Sequence, residues 1–200
     1  MSLANRLRTS NVLHYVRYCL GLDEARTQTT PAERALFREL AAEARTIVEI
    51  GAFEGVSTRA MRDAMPRDAH LYAVDPFIAN RYGFCLQQAI FRREVGRSAN
   101  GHVILLRQFS HEAIVSWREP IDLLFIDADH SFEAVTRDFR DWGRHVRPGG
   151  VILLHDSQQS PAKPVPTSCG PYRLVHEVVP HETGFRVTRA VDSTTVVMRT

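Results

Sequence analysis

Residues 121–157, IDLLFIDADHSFEAVTRDFRDWGRHVRPGGVILLHDS, decide the fold. The apolar run Ile121–Ile126 holds few charges and is typical of a parallel strand covered on both faces. A helix and a Pro-Gly-Gly turn separate it from a second such strand, Val151–Leu154. Open α/β sheets bind ligands beyond the carboxyl ends of their strands, so we expect the polar side chains that follow these two strands to share one cleft. Those side chains are Asp127, Asp129, His130, His155 and Asp156.

The rest of the chain repeats the alternation of strand and helix. Strands are predicted at Thr46–Ile50, His70–Val74 and His102–Leu106, and a C-terminal hairpin at Phe185–Val191 and Thr194–Arg199. Helices are predicted from Thr30, from Val56, around Gln87–Val95, near His111–Trp117 and over Pro171–Val179. The pattern predicts a doubly wound α/β fold, a mainly parallel seven-stranded sheet whose hairpin supplies one antiparallel strand.

We expect residues 46–200 to form the main domain and residues 1–45 to form a helical element outside the core sheet. Thr30 and Glu33 fit a capping box around Pro31, which predicts a helix start. Farther upstream, Val12, Tyr15, Val16 and Leu20 form an apolar stripe. This stripe either packs over the sheet edge, covers the substrate as a lid, or contacts a second copy in a homodimer.

Composition excludes several classes of protein. Two hundred residues suffice for one sizeable core. A formal net charge of +2 gives no argument for a nucleic-acid or membrane partner. The three cysteines, Cys19, Cys85 and Cys169, are odd in number and form no CxxC, which favours a reducing compartment. The first residues lack the long apolar run of a signal peptide or membrane span, so a cytoplasmic protein is expected.

The loop Gly51–Gly55, after the first strand, is the first candidate for ligand binding. Glycines allow the backbone to approach a ligand closely, and the following helix start offers free N–H groups. The loop matches neither GxGxxG nor GxxxxGK[ST], and Phe53 and Glu54 put bulk and negative charge where a pyrophosphate would lie. S-adenosylmethionine (SAM), with a sulfonium, an ammonium and one carboxylate, fits this loop better. The alternative is a tight turn without a ligand.

Asp75 ends the second strand. A carboxylate at this point can accept both hydroxyls of a ribose. Taken alone, Asp75 is interpreted as a turn or cap residue before Pro76. Together with the glycine loop it favours a ribose contact.

Three stretches of the chain carry a family resemblance: VEIGAFEGVST, YAVDPF, and LLFIDADHSFEAV with the later WGRHVRPGGVILLHDS. They resemble motifs of class I SAM-dependent methyltransferases, which have a Rossmann-like fold, and most closely a group of small bacterial enzymes. The resemblance covers about residues 46–179. The resemblance implies that the methionine part of SAM contacts Glu49, Gly51, Ala52 and Ser57. It implies that Asp75 contacts the ribose, that Phe109 and Ser110 lie near the adenine, and that Asp127 lies on the sulfonium side.

The chain is also similar to catechol and caffeoyl-coenzyme A O-methyltransferases, in which a divalent cation binds the substrate hydroxyls. The matching ligand positions here are Asp127, Asp156 and Ser157, and the serine departs from the family's asparagine. Oxygen ligands would suit Mg²⁺. A ligand from His130 or His155 would shift the preference toward Mn²⁺, Fe²⁺ or Zn²⁺.

His130 is the candidate general base, because an imidazole can take a hydroxyl proton near neutral pH. The alternative is a structural histidine that caps the next helix, a role for which Asp129 is better suited. The other histidines, such as His14 and His70, are expected on the surface or at strand ends. Asp127 and His130 are thus the predicted catalytic residues.

Together these features predict a SAM-dependent methyltransferase for a small-molecule acceptor, most simply a hydroxyl oxygen. The alternative is a SAM-binding or regulatory protein that has no transfer activity. A nicotinamide-dependent oxidoreductase is disfavoured because GxGxxG is missing. The Pro-rich segment Gln158–Gly170 is a second candidate for substrate contact, since loops at this edge carry specificity.

Overall fold

The computed structural model describes residues 11–200, and its centre is a seven-stranded sheet. The strand order is β3-β2-β1-β4-β5-β7-β6. The first five strands are parallel, and β7 runs antiparallel to both β5 and β6. The predicted fold class is confirmed. The strands are β1 (Thr46–Ile50), β2 (His70–Val74), β3 (His102–Leu106), β4 (Ile121–Ile126), β5 (Val146–Leu154), β6 (Phe185–Val191) and β7 (Thr194–Arg199).

Helices cover both faces of the sheet. Phe139 and Trp142, on the helix Phe132–Gly143, belong to one apolar cluster, and Phe37 and Met61, on the helices Pro31–Ala41 and Val56–Ala64, belong to the other. Strand β1 contributes to both because successive side chains point to opposite faces. The helices are α1 (Asn11–Cys19), α2 (Pro31–Ala41), α3 (Val56–Ala64), α4 (Leu86–Val95), α5 (Ser110–Ser116), α6 (Phe132–Gly143) and α7 (Gly170–Arg173).

Two predicted boundaries differ from the structure. Strand β5 begins at Val146 and includes the expected Pro-Gly-Gly turn, where its register against β4 shifts between Ile121 and Leu123. The predicted helix Pro171–Val179 is only partly α-helical. After α7 the chain forms a π-helical turn at Leu174–Val178 and then a 3-10 turn at Val179–His181. The 3-10 turn contains Pro180, which has no N–H group to donate to a regular helix.

Of the three alternatives for the apolar stripe at Val12–Leu20, packing over the sheet edge is wrong. His14 and Tyr18 face inward, whereas Val12, Val16 and Leu20 are 61%, 45% and 68% exposed. The buried pair has polar partners that are distant in sequence: His14 Nε2 lies 3.0 Å from Glu54, and the Tyr18 hydroxyl donates to Glu94 at 2.8 Å. The lid and the dimer contact stay predictions. Within residues 11–200, no helix is long and apolar enough to cross a membrane.

Helix α2 lies before the first strand, yet its apolar face is part of the core. The predicted capping box is present: Glu33 N–H donates to Thr30 Oγ1 at 3.1 Å, and Thr30 N–H donates to Glu33 Oε2 at 2.8 Å. The second carboxylate oxygen of Glu33 accepts hydrogen bonds from the β6–β7 turn, from the Ser193 N–H, the Ser193 hydroxyl and the Thr194 hydroxyl. Glu33 therefore fixes α2 against the C-terminal hairpin.

Gly51, directly after β1, is a position without room for a side chain. Its φ is +90°, and a Cβ there would lie 2.0 Å from the backbone oxygen of Asp127. Gly51→Ala should therefore lower the free energy of unfolding by about 3 kcal/mol, because it adds left-handed strain and a backbone clash. Urea unfolding measures this change.

Gly21→Ala is the matched control. Gly21 also has a positive φ, of +73°, but its Cβ would meet nothing within 4 Å. This variant should lose only about 1 kcal/mol, the cost of a left-handed alanine. Equal losses in the two variants would contradict the close approach between β1 and β4.

Candidate active site

A cavity of about 580 Å³ opens at the carboxyl edge of the parallel strands. The loops that follow β1, β2, β3 and β4 line it, and a segment before α2 closes one side. This volume lies within the range of small-molecule sites. The lining comprises residues 26–29, 50–57, 74–76, 109–111 and 127–130, with residues 134, 137 and 138 of α6.

Asp75 shapes the glycine loop as well as facing the cavity. Its Oδ2 accepts hydrogen bonds from the N–H groups of Ala52 at 3.1 Å and Phe53 at 3.0 Å. Its Oδ1 accepts one from the Phe77 N–H at 2.9 Å. A carboxylate oxygen has two lone pairs, so Oδ2 is saturated by the loop and Oδ1 retains one acceptor site. Phe53 and Phe77 have left-handed φ values of 47° and 42°, and such strain clusters at functional sites.

Three of the four predicted methionine-contact residues, Gly51, Ala52 and Ser57, line the cavity, but Glu49 does not. The Glu49 side chain is fully buried behind the loop and accepts hydrogen bonds from the hydroxyls of Ser57 and Thr58. Burial raises the pKa of Glu49 to about 8, although these two hydroxyls oppose the shift. The geometry gives Glu49 a positioning role at the start of α3, and its direct contact with a cofactor stays a prediction.

The predicted adenine-contact residues Phe109 and Ser110 lie on the cavity wall. The Phe109 ring stacks on His111, with ring centroids 5.6 Å apart. The Ser110 hydroxyl donates to Asp138 Oδ1 at 2.6 Å, and burial raises the pKa of Asp138. This wall thus offers a flat aromatic surface beside a hydroxyl and a carboxyl group, which suits a planar base.

Asp127 and His130 meet at the end of β4, as the sequence predicted. His130 Nε2 lies 3.4 Å from Asp127 Oδ1, and both residues line the cavity. The hydrogen bond to Asp127 raises the pKa of His130. Burial would raise the pKa of Asp127, but contacts with His130 and His155 hold it well below its usual range. Asp127 is therefore a carboxylate at neutral pH, and it makes His130 a stronger base.

His155 lies buried between two carboxylates. Its Nδ1 is 2.9 Å from Asp127 Oδ1, and its Nε2 is 3.4 Å from Glu33 Oε2. Burial would lower the pKa of His155, but Asp127 and Glu33 raise it to about 9. For Glu33 burial acts in the opposite direction and would raise the pKa, but hydrogen bonds from His155, Thr30 and Ser193 lower it to about 2. A buried imidazolium therefore connects α2 to the end of β4.

Asp129 also lines the cavity, but its Oδ1 accepts a hydrogen bond from the Ser131 N–H at 2.8 Å. The N-cap of α6 is Ser131 rather than Asp129, because Ser131 Oγ accepts from the Ala134 N–H at 3.4 Å. Gly170 supports the same segment, since its N–H donates to the His130 carbonyl at 3.1 Å. These contacts fix the backbone around His130 and leave its imidazole at the cavity.

The expected metal ligands are committed to other partners. Ser157 is fully buried, and its hydroxyl contacts Leu154 O at 2.7 Å and Thr195 Oγ1 at 2.7 Å. Asp156 pairs with Lys163 at 2.6 Å, and it does not line the cavity. Over residues 11–200, no group of three or more His, Cys, Asp or Glu side chains is arranged to hold a metal ion. These residues therefore do not fit a divalent cation.

Sequence reasoning missed the contribution of the segment before α2. Glu54 accepts a hydrogen bond from the Arg26 N–H at 2.5 Å and contacts His14, so it ties residues 26–29 to the glycine loop. The prediction that His14 lies on the surface is therefore wrong. The cavity also gains Arg137 and Asp138 from the middle of α6. The alternation of strands and helices gives no signal for these residues, because they reach the cavity through tertiary packing.

The site and the doubly wound sheet define a class I methyltransferase architecture. The profile of a family described as "Methyltransferase domain" matches residues 48–157, which is more than half of the chain. The chain belongs to this methyltransferase family. Among curated proteins it is 29% identical over 118 residues to the uncharacterized protein R132 of Acanthamoeba polyphaga mimivirus. That alignment covers 56% of this chain and 52% of R132, so the chain spans about half the length of this relative.

Solved structures share the fold over nearly the whole chain. An O-methyltransferase from Bacillus cereus, solved in complex with SAH, is 18% identical with a TM-score of 0.64, covering 98% of this chain and 96% of that one. TomG from Streptomyces achromogenes, an O-methyltransferase of tomaymycin synthesis solved with SAM, is 19% identical with a TM-score of 0.61, covering 94% and 87%. Cofactor-bound Rv0187 from MTB is 16% identical with a TM-score of 0.67, covering 98% and 94%. These likenesses confirm the Rossmann-like methyltransferase fold.

Removing the Glu33 charge should weaken the buried imidazolium. In the wild type, the stability due to protonation of His155 is fully present below pH 6.5, the ordinary pKa of histidine, and is lost as the pH rises through about 9. Glu33→Gln should lower the pKa of His155, so this loss should begin at lower pH. It should also reduce the free energy of unfolding at pH 7 by about 3 kcal/mol. Histidine-selective NMR titration and urea unfolding at several pH values measure the two effects.

Glu39→Gln is the control on the same helix. Glu39 is 59% exposed and pairs with Arg189 at 2.6 Å, so its loss should change stability by less than about 1 kcal/mol. An unshifted His155 titration in Glu33→Gln would contradict the coupling between the two residues.

Proposed function

We propose that this protein is a SAM-dependent methyltransferase that acts on a hydroxyl oxygen of a small molecule. The observation that carries the proposal is the joint placement of Asp75 and the Asp127–His130 pair on one cavity. Family membership supports methyl transfer. The two O-methyltransferases of the same fold, solved with SAH and SAM, support the choice of cofactor and of oxygen as acceptor.

The cavity suits SAM in its dimensions and in its polar groups. Gly51 brings backbone close to the cavity without a side chain, and Asp75 Oδ1 offers an acceptor for a ribose hydroxyl. Phe109 and Ser110 form the wall proposed for the adenine. Asp127, a carboxylate at neutral pH, is proposed to lie on the sulfonium side, where negative charge attracts the cationic methyl donor.

When bound, SAM would supply an electrophilic methyl group, and its thioether product SAH would be the leaving group of a direct displacement by the acceptor oxygen. The chain's own contribution is alignment and proton removal. Neutral His130 accepts the proton of the acceptor hydroxyl as the oxygen approaches the methyl group. Asp127 then stabilises the resulting imidazolium through the contact at 3.4 Å. Residues 26–29 and the glycine loop enclose the reacting groups and limit access of water.

The direct test has two stages. In a thermal-shift assay, SAM and SAH should stabilise the protein and NAD should not. A screen of sugars, phenols and peptide-derived metabolites with methyl-labelled SAM should then identify an acceptor. Stabilisation by SAM without transfer to any acceptor would favour the regulatory alternative, and stabilisation by NAD alone would refute the proposal.

Asp75→Ala should weaken SAM binding by at least about 1.5 kcal/mol, or roughly tenfold in Kd, because it removes charge-assisted hydrogen bonds to the ribose. Isothermal titration calorimetry measures this loss. Asp68→Ala is the control: Asp68 is exposed at the opposite edge of the sheet and pairs with Arg45. It should leave the affinity unchanged. Undiminished SAM affinity in Asp75→Ala would refute the ribose assignment.

His130→Ala should bind SAM normally yet lose on the order of 10²-fold or more in turnover, the usual scale of general-base catalysis. Steady-state kinetics with the identified acceptor measures the loss. His70→Ala, which alters an exposed histidine at the opposite edge of the sheet, should keep wild-type turnover.

The pH profile provides a second check on His130. Because Asp127 raises the pKa of His130, the wild-type rate should still increase as the pH rises above 6.5, until the imidazole is neutral. His130→Ala should lack this increase. Near-normal turnover of a folded His130→Ala enzyme between roughly pH 6 and 9 would rule out His130 as the base.

A further inference from the structure

Lys163 is the single lysine of the chain, and its ammonium group lies beside the cluster at the ends of β4 and β5. Of the 25 Lys and Arg residues, all others are arginine. Lys163 Nζ is 2.6 Å from Asp156 Oδ1 and 3.2 Å from the carbonyl oxygen of Gln28. Its side chain is only 21% exposed. Lys163 therefore contacts both the carboxyl end of β5 and a residue of the cavity wall.

The ammonium of Lys163 neutralises the negative charge of the Asp156 carboxylate. The Asp156 side chain is 9% exposed and sits on left-handed backbone with a φ of 52°. No hydrogen bond of regular geometry reaches its Oδ1 from the described residues, so the contact with Lys163 is one of charge. The next nitrogen atoms of titratable side chains are farther away, at 3.8 Å for His155 Nδ1 and 3.9 Å for His130 Nδ1. A buried carboxylate without a counter-charge is strongly unfavourable.

The surrounding charges are already nearly balanced by protein groups. The cluster holds three carboxylates, those of Glu33, Asp127 and Asp156, and His155 stands between the first two. Lys163 compensates the third. A divalent cation next to Asp156 would therefore either have to displace the ammonium or, if the ammonium stayed, would give the cluster a net positive charge.

We propose that the ammonium of Lys163 is the built-in cation of this site, and that it occupies the place beside Asp156 where a divalent cation would otherwise bind. Lys163 belongs to the loop 158–170 that follows β5, and this loop folds back so that the ammonium lies beside Asp156 at the end of the strand. The contact with Gln28 lets the same group fix the segment that closes the cavity. The inference rests on the surroundings of Asp156 and is independent of methyl transfer.

Manganese binding tests the inference directly. Electron paramagnetic resonance measures the concentration of unbound Mn²⁺. Titration with the wild-type protein should not lower this concentration stoichiometrically, because the protein should not bind the ion. Lys163→Met removes the charge but keeps an apolar stem, and it should bind Mn²⁺ at least about tenfold more tightly than the wild type, which corresponds to about 1.4 kcal/mol. Lys163→Arg keeps the charge and should behave as the wild type. Adding Asp156→Asn to Lys163→Met should abolish the gained binding.

Arg189→Met is the matched control, since it removes a cation that pairs with exposed Glu39 far from the site, and it should gain no Mn²⁺ binding. Circular dichroism checks that each variant is folded. A folded Lys163→Met protein without a gain in Mn²⁺ affinity would overturn the proposal. Stoichiometric Mn²⁺ binding to the wild type that Asp156→Asn abolishes would also overturn it, whether or not the lysine variants fold.

Discussion

The buried contact of His155 with Asp127 and Glu33 is the interaction on which the rest of the site depends. It joins a helix that precedes the first strand to the ends of β4 and β5, and Glu33 extends the connection to the β6–β7 turn through Ser193. The charges of His155 and Glu33 can remain fully buried because each faces an opposite charge. The same contact keeps Asp127 ionised and in place at the cavity. A change at His155 or Glu33 would therefore affect both the stability of the fold and the charge of Asp127 at the cavity.

The two halves of the cavity are built by different means. Around β1 and β2, backbone conformation dominates: Gly51 allows two strand ends to approach closely, and Asp75 holds the glycine loop through its N–H groups. Around β4 and β5, charged side chains dominate, with Asp127 and His130 facing the cavity. A rigid backbone cradle suits the binding of a cofactor, whereas a group of titratable side chains suits proton transfer. This division is consistent with the proposed reaction, in which the cofactor is held on one side and the acceptor loses its proton on the other.

Sequence patterns predicted the sheet well because its strands are buried apolar runs bounded by turn residues, and Ile121–Ile126 has the bounds expected. They also placed Asp75 and His130, since the carboxyl ends of parallel strands meet at one edge. Features set by distant partners were not predictable. His14 is buried because Glu54 lies beside it, and the Asp156–Lys163 pair depends on how the Pro-rich loop folds back. Periodicity indicates which elements form, but it does not say which polar side chains find partners across the fold.

The central claim is that the cavity holds the methyl donor in one orientation, with its ribose at Asp75 and its sulfur near Asp127. A crystal structure of the protein with SAH tests it most directly. The account predicts that a ribose hydroxyl lies within hydrogen-bonding distance of Asp75 Oδ1, with the adenine against Phe109 and the sulfur on the side of Asp127 and His130. SAH bound outside this cavity, or bound within it with the ribose away from Asp75, would contradict the account.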